Sequence, residues 1–188
     1  MTAMNEPRAT FRKMTEATAE DWRIIAEGET KNMAGLADRI LAELEGLKGG
    51  IQPFPVSRYE HSLQSATRAY RDGAEEEMVI AALIHDIGDS LALFNHGEYA
   101  AAILKPYVSE KTYWIIKHHD EFQGFYFWDH IGKDPNTRDQ YRDNPWFEDC
   151  AAFCEKWDQT AFDPEYDTLP LEFFEPMVRR IFAPKSMA

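Results

Sequence analysis

The sequence predicts an all-α fold, and three observations lead to this prediction. Apolar residues recur at helical spacing over long stretches, as in Ile25, Met33, Leu36, Ile40, Leu44 and Leu47. Residues that commonly cap helices precede several of the apolar stretches. No run of alternating apolar and polar residues indicates a strand. The chain has 188 residues, 44% of them hydrophobic, which is enough for one domain with a sizeable core.

The N-terminal part of the chain is predicted to contain one long amphipathic helix. Its apolar pattern extends over about Asp21–Leu47, and Gly28 is a position at which the helix can be interrupted. Residues 1–16 show no periodicity, so we expect a flexible N-terminal tail there. Residues 17–188 are then expected to form a single domain.

The next two helices carry the first chemically distinctive residues. Ser57 followed by Glu60 fits a capping box, which places His61 in the first turns of a helix. Asp72-Gly73 ends that helix. The apolar run MVIAALIHDIG predicts a buried helix that ends in the doublet His85-Asp86.

Two further helices bring three more histidines. One is predicted over Gly97–Lys105, with His96 at its start, because Pro106 cannot continue it. Ser109 is the predicted N-cap of the following helix. That helix places the adjacent residues His118 and His119 near its end.

The C-terminal third is predicted to contain two more helices. Asn144-Pro145 indicates an N-cap followed by Pro at the first helical position. The helix that follows would carry Cys150, Cys154 and Asp158 on one face, at four-residue intervals. The last helix, PLEFFEPMVRRIF, is expected to kink or break near Pro176.

Charge and composition exclude several classes of partner. The chain has 20 Lys and Arg against 33 Asp and Glu, a net charge of −13, which argues against nucleic acid or an anionic membrane as the main partner. No stretch is long enough for a transmembrane span, and the N-terminus lacks a signal pattern. The two cysteines, Cys150 and Cys154, are placed poorly for a disulfide, which favours a cytoplasmic location.

The doublet His85-Asp86 suggests metal binding. At the end of a buried helix it offers a neutral nitrogen and an anionic oxygen to one ion, which offsets the cost of placing a carboxylate in the core. Together with the earlier His61 and the later Asp158, it forms the pattern H…HD…D over three helices. The alternative is a set of hydrogen-bonded polar residues at helix ends.

This pattern resembles the HD-domain superfamily of metal-dependent enzymes. The resemblance implies an HD-domain helical bundle with a dinuclear metal site in its core. The ligands implied for the first ion are His61, His85, Asp86 and Asp158. Those implied for the second are Asp86, His96 and His119, so Asp86 would bridge the two ions. The family spacing favours His119 over His118, and a capping role is the alternative for His96.

A closer resemblance concerns the stretch LQSATRAYRDGAEEEMVIAALIHDIG, preceded by EHS, together with HGEYAAAIL and KWD. These segments are most similar to the mixed-valent diiron oxygenases of the superfamily, the hydroxy-aminoethylphosphonate oxygenases and, more distantly, inositol oxygenase. The resemblance covers roughly residues 58–160. It implies two Fe ions in the Fe(II)/Fe(III) state, with Mn or another divalent metal as the alternative. It also implies O₂ and a small hydroxylated substrate.

Five positions depart from the phosphonate enzymes. Gln123 and Glu155 stand where those enzymes bind the phosphonate with a Lys and an Arg. Ile51 and Phe54 stand where a Tyr and a Glu gate the site. Asp89 replaces a His, which is a Lys in inositol oxygenases. The substrate is therefore expected to be less anionic than a phosphonate.

The same departures suggest which chemical groups the substrate carries. Asp89, Glu155 and the aromatic run Phe125–Trp128 could hold an amine or a quaternary ammonium group. Arg58 and Arg142 are candidates for binding a carboxylate or phosphoryl end. The predicted substrate-binding residues are Arg58, Asp89, Gln123 and Arg142. The alternative for Asp89 is a simple ion pair with Arg58.

Two other functions compete with the oxygenase. A dinuclear HD phosphohydrolase acting on a nucleotide or another phosphate ester would use the same ligands to activate a hydroxide. A metal-bound regulatory module without turnover is the third class. His130 is expected at the surface, and the two cysteines in the core. The sequence leaves open the oligomeric state and whether residues 120–135 form a lid.

Overall fold

The computed structural model describes residues 6–184, and within this range it consists of helices and connecting turns without a strand. The α-helices are α1 (Ala19–Ala34), α2 (Leu36–Gly46), α3 (Arg58–Arg71), α4 (Glu76–Ile84), α5 (His96–Leu104), α6 (Glu110–Gln123), α7 (Phe147–Phe153) and α8 (Leu171–Ile181). Short 3₁₀ turns lie at Met14–Glu16, Gly124–Tyr126, Trp128–Ile131 and Thr137–Tyr141, and a π-helical turn lies at Cys154–Asp158. The predicted all-α fold is confirmed.

Helix α4 lies at the centre of the fold. Every residue from Val79 to Ile84 is buried, and the helix contacts α3, α6 and α8. A helix that is apolar on all sides is stable only when neighbouring helices cover all of its faces. Its C-terminal end therefore places His85 and Asp86 inside the protein, where a polar group requires a partner.

The capping signals on either side of α4 are confirmed. Ser57 and Glu60 form the predicted capping box at the start of α3. Gly73 ends this helix at φ 78°, a left-handed conformation that favours glycine. Ser109 caps α6 by accepting a hydrogen bond from the backbone of Thr112. These caps determine where the two helices that carry His61 and His119 begin.

The predicted long N-terminal helix is instead two helices, and the break lies at Gly35 rather than Gly28. Gly35 has φ −87° and ψ 6°, outside the α-helical geometry. The Arg39 guanidinium donates to the carbonyl of Asn32 at 2.7 Å and so satisfies a carbonyl that the break exposes. Gly28 remains inside α1, because glycine is tolerated in a helix at a modest cost.

The predicted start of helix α7 was wrong, and the predicted kink or break near Pro176 does not take the form of a break. Helix α7 begins at Phe147, because the Asn144 side chain accepts from the backbone of Trp146 and forms a turn ahead of the helix. Helix α8 continues through Pro176. This proline lies in the second turn, and the buried side chains of Phe174 and Val178 anchor the helix on both sides of it.

The segment before α1 contacts that helix where it is described. Thr10 donates its backbone N–H to Asp21 at 2.7 Å, and Phe11 stacks on Trp22 with 6.4 Å between ring centroids. The predicted tail over residues 1–16 lies partly outside the described residues, and the domain boundary stays a prediction. Among the described helices, none is both long and apolar enough to cross a membrane.

Replacing Ser57 with Ala is expected to lower the free energy of unfolding by about 1 kcal/mol, because the backbone N–H of Glu60 loses its acceptor at the start of α3. Chemical denaturation followed by circular dichroism measures the change. The Ser57→Thr variant keeps the hydroxyl and should remain close to wild type. An equal loss in both variants would contradict a capping origin.

Candidate metal centre

The six predicted metal ligands lie together in the structure, although they come from five different elements. His61 lies in the first turns of α3, and His85-Asp86 directly follow α4. His96 begins α5, and His119 lies in the last turns of α6. Asp158 ends the π-helical turn. His61, His85, His119 and Asp158 are buried.

Backbone carbonyls determine the orientation of three imidazole rings. The Nδ1 atoms of His61, His85 and His119 lie 3.0, 2.8 and 2.7 Å from the carbonyl oxygens of Ala161, Ala82 and Ile116, respectively. A carbonyl oxygen can only accept a hydrogen bond, so each Nδ1 must carry its proton. In the neutral ring the lone pair is then on Nε2, the atom available to a metal.

The first group of donor atoms contains His61, His85, Asp86 and Asp158. The Nε2 atoms of His61 and His85 are 3.1 Å apart, and each is 3.4 Å from Asp86 Oδ2. Asp158 Oδ1 lies 3.3 Å from His61 Nε2 and 3.7 Å from His85 Nε2. With metal–ligand bonds of about 2.1 Å, neighbouring ligand atoms are separated by about 3.0–3.4 Å. The spacing therefore suits one ion.

The second group of donor atoms lies on the other side of Asp86. Asp86 Oδ1 is 3.2 Å from the Nε2 atoms of both His96 and His119. Since Oδ2 faces the first group, this carboxylate directs one oxygen to each pair of histidines. Asp120 also directs Oδ1 to the second pair, at 3.2 Å from each Nε2. Sequence reasoning missed Asp120, although it directly follows His119.

The charges of these groups shift their pKa values strongly. Burial alone would lower the pKa of His61, but Asp158 and Asp86 outweigh it and raise this pKa to about 10. Burial also opposes protonation of His96, yet Asp86 raises its pKa to about 9. The pKa of Asp158 is lowered, since the hydrogen bonds and charges of His61 and His85 outweigh its burial. A cation at this position, whether a proton or a metal ion, is thus strongly favoured.

The π-helical turn sets the position of Asp158. The backbone N–H of Gln159 bonds to the carbonyl of Cys154, five residues earlier, at 2.9 Å. The two cysteines lie on the face that packs against α6, where their thiols donate to the carbonyls of Ile115 and His119 at 3.6 Å. Both thiols are buried and free, as expected for core packing.

A cavity of about 960 Å³ opens onto both groups of donor atoms. Aromatic and aliphatic side chains line much of it, namely Phe54, Leu93, Phe94, Tyr126, Phe127, Trp128, Ile131, Tyr141 and Phe162. The segment after α6 contributes to this wall through two 3₁₀ turns. Phe125 does not line the cavity; its ring lies 3.6 Å from the guanidinium carbon of Arg138.

Three of the four predicted substrate-binding residues line this cavity. Arg58 donates to Asp89 Oδ2 at 2.6 Å, and Asp89 Oδ1 lies 3.4 Å from His96 Nδ1. Gln123 donates its side-chain amide to Asp158 Oδ1 at 3.1 Å. The ion pair between Asp89 and Arg58, which the sequence suggested as the alternative role of Asp89, is therefore present. The Nδ1 atom of His96 makes no hydrogen bond to this carboxylate, although the two lie close together.

The fourth of these residues, Arg142, and the candidate cation-binding residue Glu155 lie away from the cavity wall. Arg142 pairs with Asp139 at 3.0 Å and is 64% exposed, because the 3₁₀ turn that precedes it directs its side chain outward. Glu155 is exposed on the π-helical turn.

A family model for the HD domain matches residues 58–157. The chain belongs to the HD domain family. The match covers more than half of the 188 residues and runs from the start of α3 to the residue before Asp158. Comparison with curated proteins gave no match. The predicted HD-domain bundle is confirmed, and the groups His61/His85/Asp86, His85/His119/Asp158 and Asp86/His96/His119 each have the spacing of a metal site.

The other histidines of this HD domain are placed as expected. His130 is 78% exposed and lies beside Asp129. His118 is packed against Trp114 and Tyr141, with its Nδ1 atom 3.7 Å from Glu121 Oε2. Its ring therefore faces away from the donor atoms that surround His119.

Replacing His61 with Gln is expected to lower the metal content by about one ion per chain, because the first group loses a buried nitrogen donor. Elemental analysis after incubation with Mn²⁺ and dialysis measures the content. The matched control is His130→Gln, which should keep the metal content of the unsubstituted protein. Wild-type metal content in His61→Gln would contradict the assignment.

Metal binding is expected to release protons and to strengthen as pH rises toward 9–10. Without metal, His61 and His96 hold protons at neutral pH, since their pKa values are raised to about 10 and about 9. The metal must displace these protons. Calorimetric titrations in buffers of different ionisation enthalpy count the protons released. Affinity that is independent of pH over this range would contradict the prediction.

Proposed function

We propose that this HD domain is a dinuclear iron oxygenase that oxidises or oxidatively cleaves a small hydroxylated substrate. The proposal of two metal ions rests on the orientation of the Asp86 carboxylate. Its Oδ2 atom faces His61 and His85, and its Oδ1 atom faces His96 and His119. A carboxylate in this orientation can bridge two ions. The family match and these donor atoms together support a metal-dependent enzyme.

The donor set fits iron. Imidazole nitrogens with carboxylate oxygens are ligands that iron accepts readily, and neither buried cysteine takes part. Two unpartnered polar atoms are consistent with this fit, because Asp158 Oδ2 and Asp120 Oδ1 are buried without a hydrogen-bond donor. Two iron ions held by these residues would supply the chemistry of O₂ activation and hydrogen abstraction.

Charges on the cavity wall favour the oxygenase over a phosphohydrolase. Apart from the carboxylates that face the histidines, the described residues that line it include three carboxylates and three Lys or Arg side chains. Arg58 pairs with Asp89, the Lys117 Nζ atom lies 3.9 Å from Glu98, and Lys133 lies over the Trp128 ring. A phosphate ester needs cations that are not already paired. A neutral substrate or one that carries an amine suits this wall better.

Gln123 can orient such a substrate. Its amide nitrogen donates to Asp158, which fixes the side chain, while its Oε1 atom is buried without a hydrogen-bond donor. A hydroxyl or ammonium group in the cavity could donate to Oε1. The aromatic residues Phe127 and Trp128 would cover the apolar part of the substrate and exclude water.

The second candidate is a dinuclear phosphohydrolase acting on a nucleotide or another phosphate ester. Arg58 favours it, because this guanidinium lines the cavity and could leave Asp89 for a phosphoryl group. The same donor atoms can hold Mn²⁺ and other divalent ions that activate water. The metal present in the purified protein separates the two proposals.

The first test is to purify the protein with little exposure to oxygen, measure its metals and record low-temperature electron paramagnetic resonance after partial reduction. Two irons with a coupled mixed-valent signal are expected. An O₂-uptake screen should then show consumption with hydroxylated amines or quaternary ammonium compounds. Asp86→Asn, which lacks a bridging carboxylate, should lose the signal.

Other results would contradict the oxygenase. Mn or a single metal, combined with turnover of a phosphate ester, would favour the phosphohydrolase. Hydroxylated phosphonates that outcompete every amine in a binding assay would contradict the inference drawn from the paired cations of the wall. Two tightly bound irons without O₂ uptake on any substrate of this class would favour a module without turnover.

A further inference from the structure

Asp120 occupies the same place in the second group of donor atoms that Asp158 occupies in the first. Its Oδ1 atom lies 3.2 Å from His96 Nε2 and 3.2 Å from His119 Nε2. These distances equal those from Asp86 Oδ1 to the same two nitrogens. Two carboxylates thus each direct one oxygen to the same two histidine nitrogens, which lie on α5 and α6.

The Asp120 Oδ1 atom is buried and has no hydrogen-bond donor. When the rings of His96 and His119 are both neutral, as metal binding requires, the proton of His119 is on Nδ1, bonded to the Ile116 carbonyl, and Nε2 cannot donate to this oxygen. A buried carboxylate oxygen without a donor is costly. A metal ion bound by the Nε2 atoms of His96 and His119 would also satisfy this oxygen.

Gly97 makes room for this carboxylate. A Cβ atom at position 97 would lie 2.5 Å from Asp120 Oδ1 and 3.0 Å from the Ile116 carbonyl oxygen. Any side chain there would push Asp120 away from the two nitrogens or separate α5 from α6. The glycine follows His96, so the chain passes close to the carboxylate at the point where it also supplies a nitrogen.

We infer that Asp120 is the fourth protein ligand of the second metal ion. This inference rests on the proposed dinuclear site and adds a ligand to it. Each ion then has two histidines, one carboxylate of its own and one oxygen of Asp86. Three carboxylates, rather than two, then offset part of the positive charge of the two ions.

Asp120→Asn tests the inference, because the amide has nearly the same shape but no charge. Metal-free protein is titrated with Mn²⁺, and free Mn²⁺ is counted by electron paramagnetic resonance. The first ion should bind as in wild type. Affinity for the second should fall by more than about 100-fold, the upper range for residues that only support a ligand.

Two further variants complete the experiment. Asp149→Asn removes an exposed carboxylate that pairs with Lys111 and should bind both ions normally. Gly97→Ala should lose the second ion as Asp120→Asn does, because its Cβ atom displaces the carboxylate. Circular dichroism of each metal-free variant establishes that the fold is kept.

The possible outcomes test the dinuclear site and the role of Asp120 separately. Wild-type protein that binds fewer than two Mn²⁺ ions would overturn the dinuclear site itself. Two ions in wild type with unchanged second-site affinity in Asp120→Asn would overturn only the role of Asp120. A loss below about 100-fold with an unchanged Co²⁺ absorption spectrum would make Asp120 a positioning residue and overturn its assignment as a ligand.

Discussion

The rest of the structure depends on one constraint: several histidine nitrogens lie close to one another and to the carboxylate oxygens of Asp86. Like partial charges at 3.1–3.4 Å repel one another unless a cation lies among them. Helix α4 must be held on all sides to keep such a group inside the protein. The apolar packing around α4 and the metal site are therefore two parts of one arrangement.

Hydrogen bonds to the backbone give this group its direction. His85 and His119 each bond to the carbonyl three residues earlier on their own helix, whereas His61 bonds to Ala161, 100 residues away in the chain. Local geometry alone thus orients two of the rings. The orientation of the third depends on the segment after the π-helical turn, so the site is complete only when α3 has packed against that segment.

Much of the fold could be predicted because its signals are local. Ser57 and Ser109 mark helix starts through contacts within three residues. The candidate metal ligands could be predicted from the spacing of the histidines and aspartates along the sequence. Asp120 could not be predicted, since its role depends on Gly97, a residue on another helix that sequence periodicity does not connect to it. The outward position of Arg142 depends on a 3₁₀ turn, and short turns of this kind leave little periodic signal.

The π-helical turn at Cys154–Asp158 shows how chain length can encode the position of a ligand. Such a turn contains one residue more than a regular helix needs. If the same residues made regular α-helical hydrogen bonds instead, the residues toward the end of the turn would be rotated around the helix axis. Asp158 would then point away from His61. The most regular form of this helix is therefore one in which the site is incomplete, and the irregularity is a functional part of the sequence.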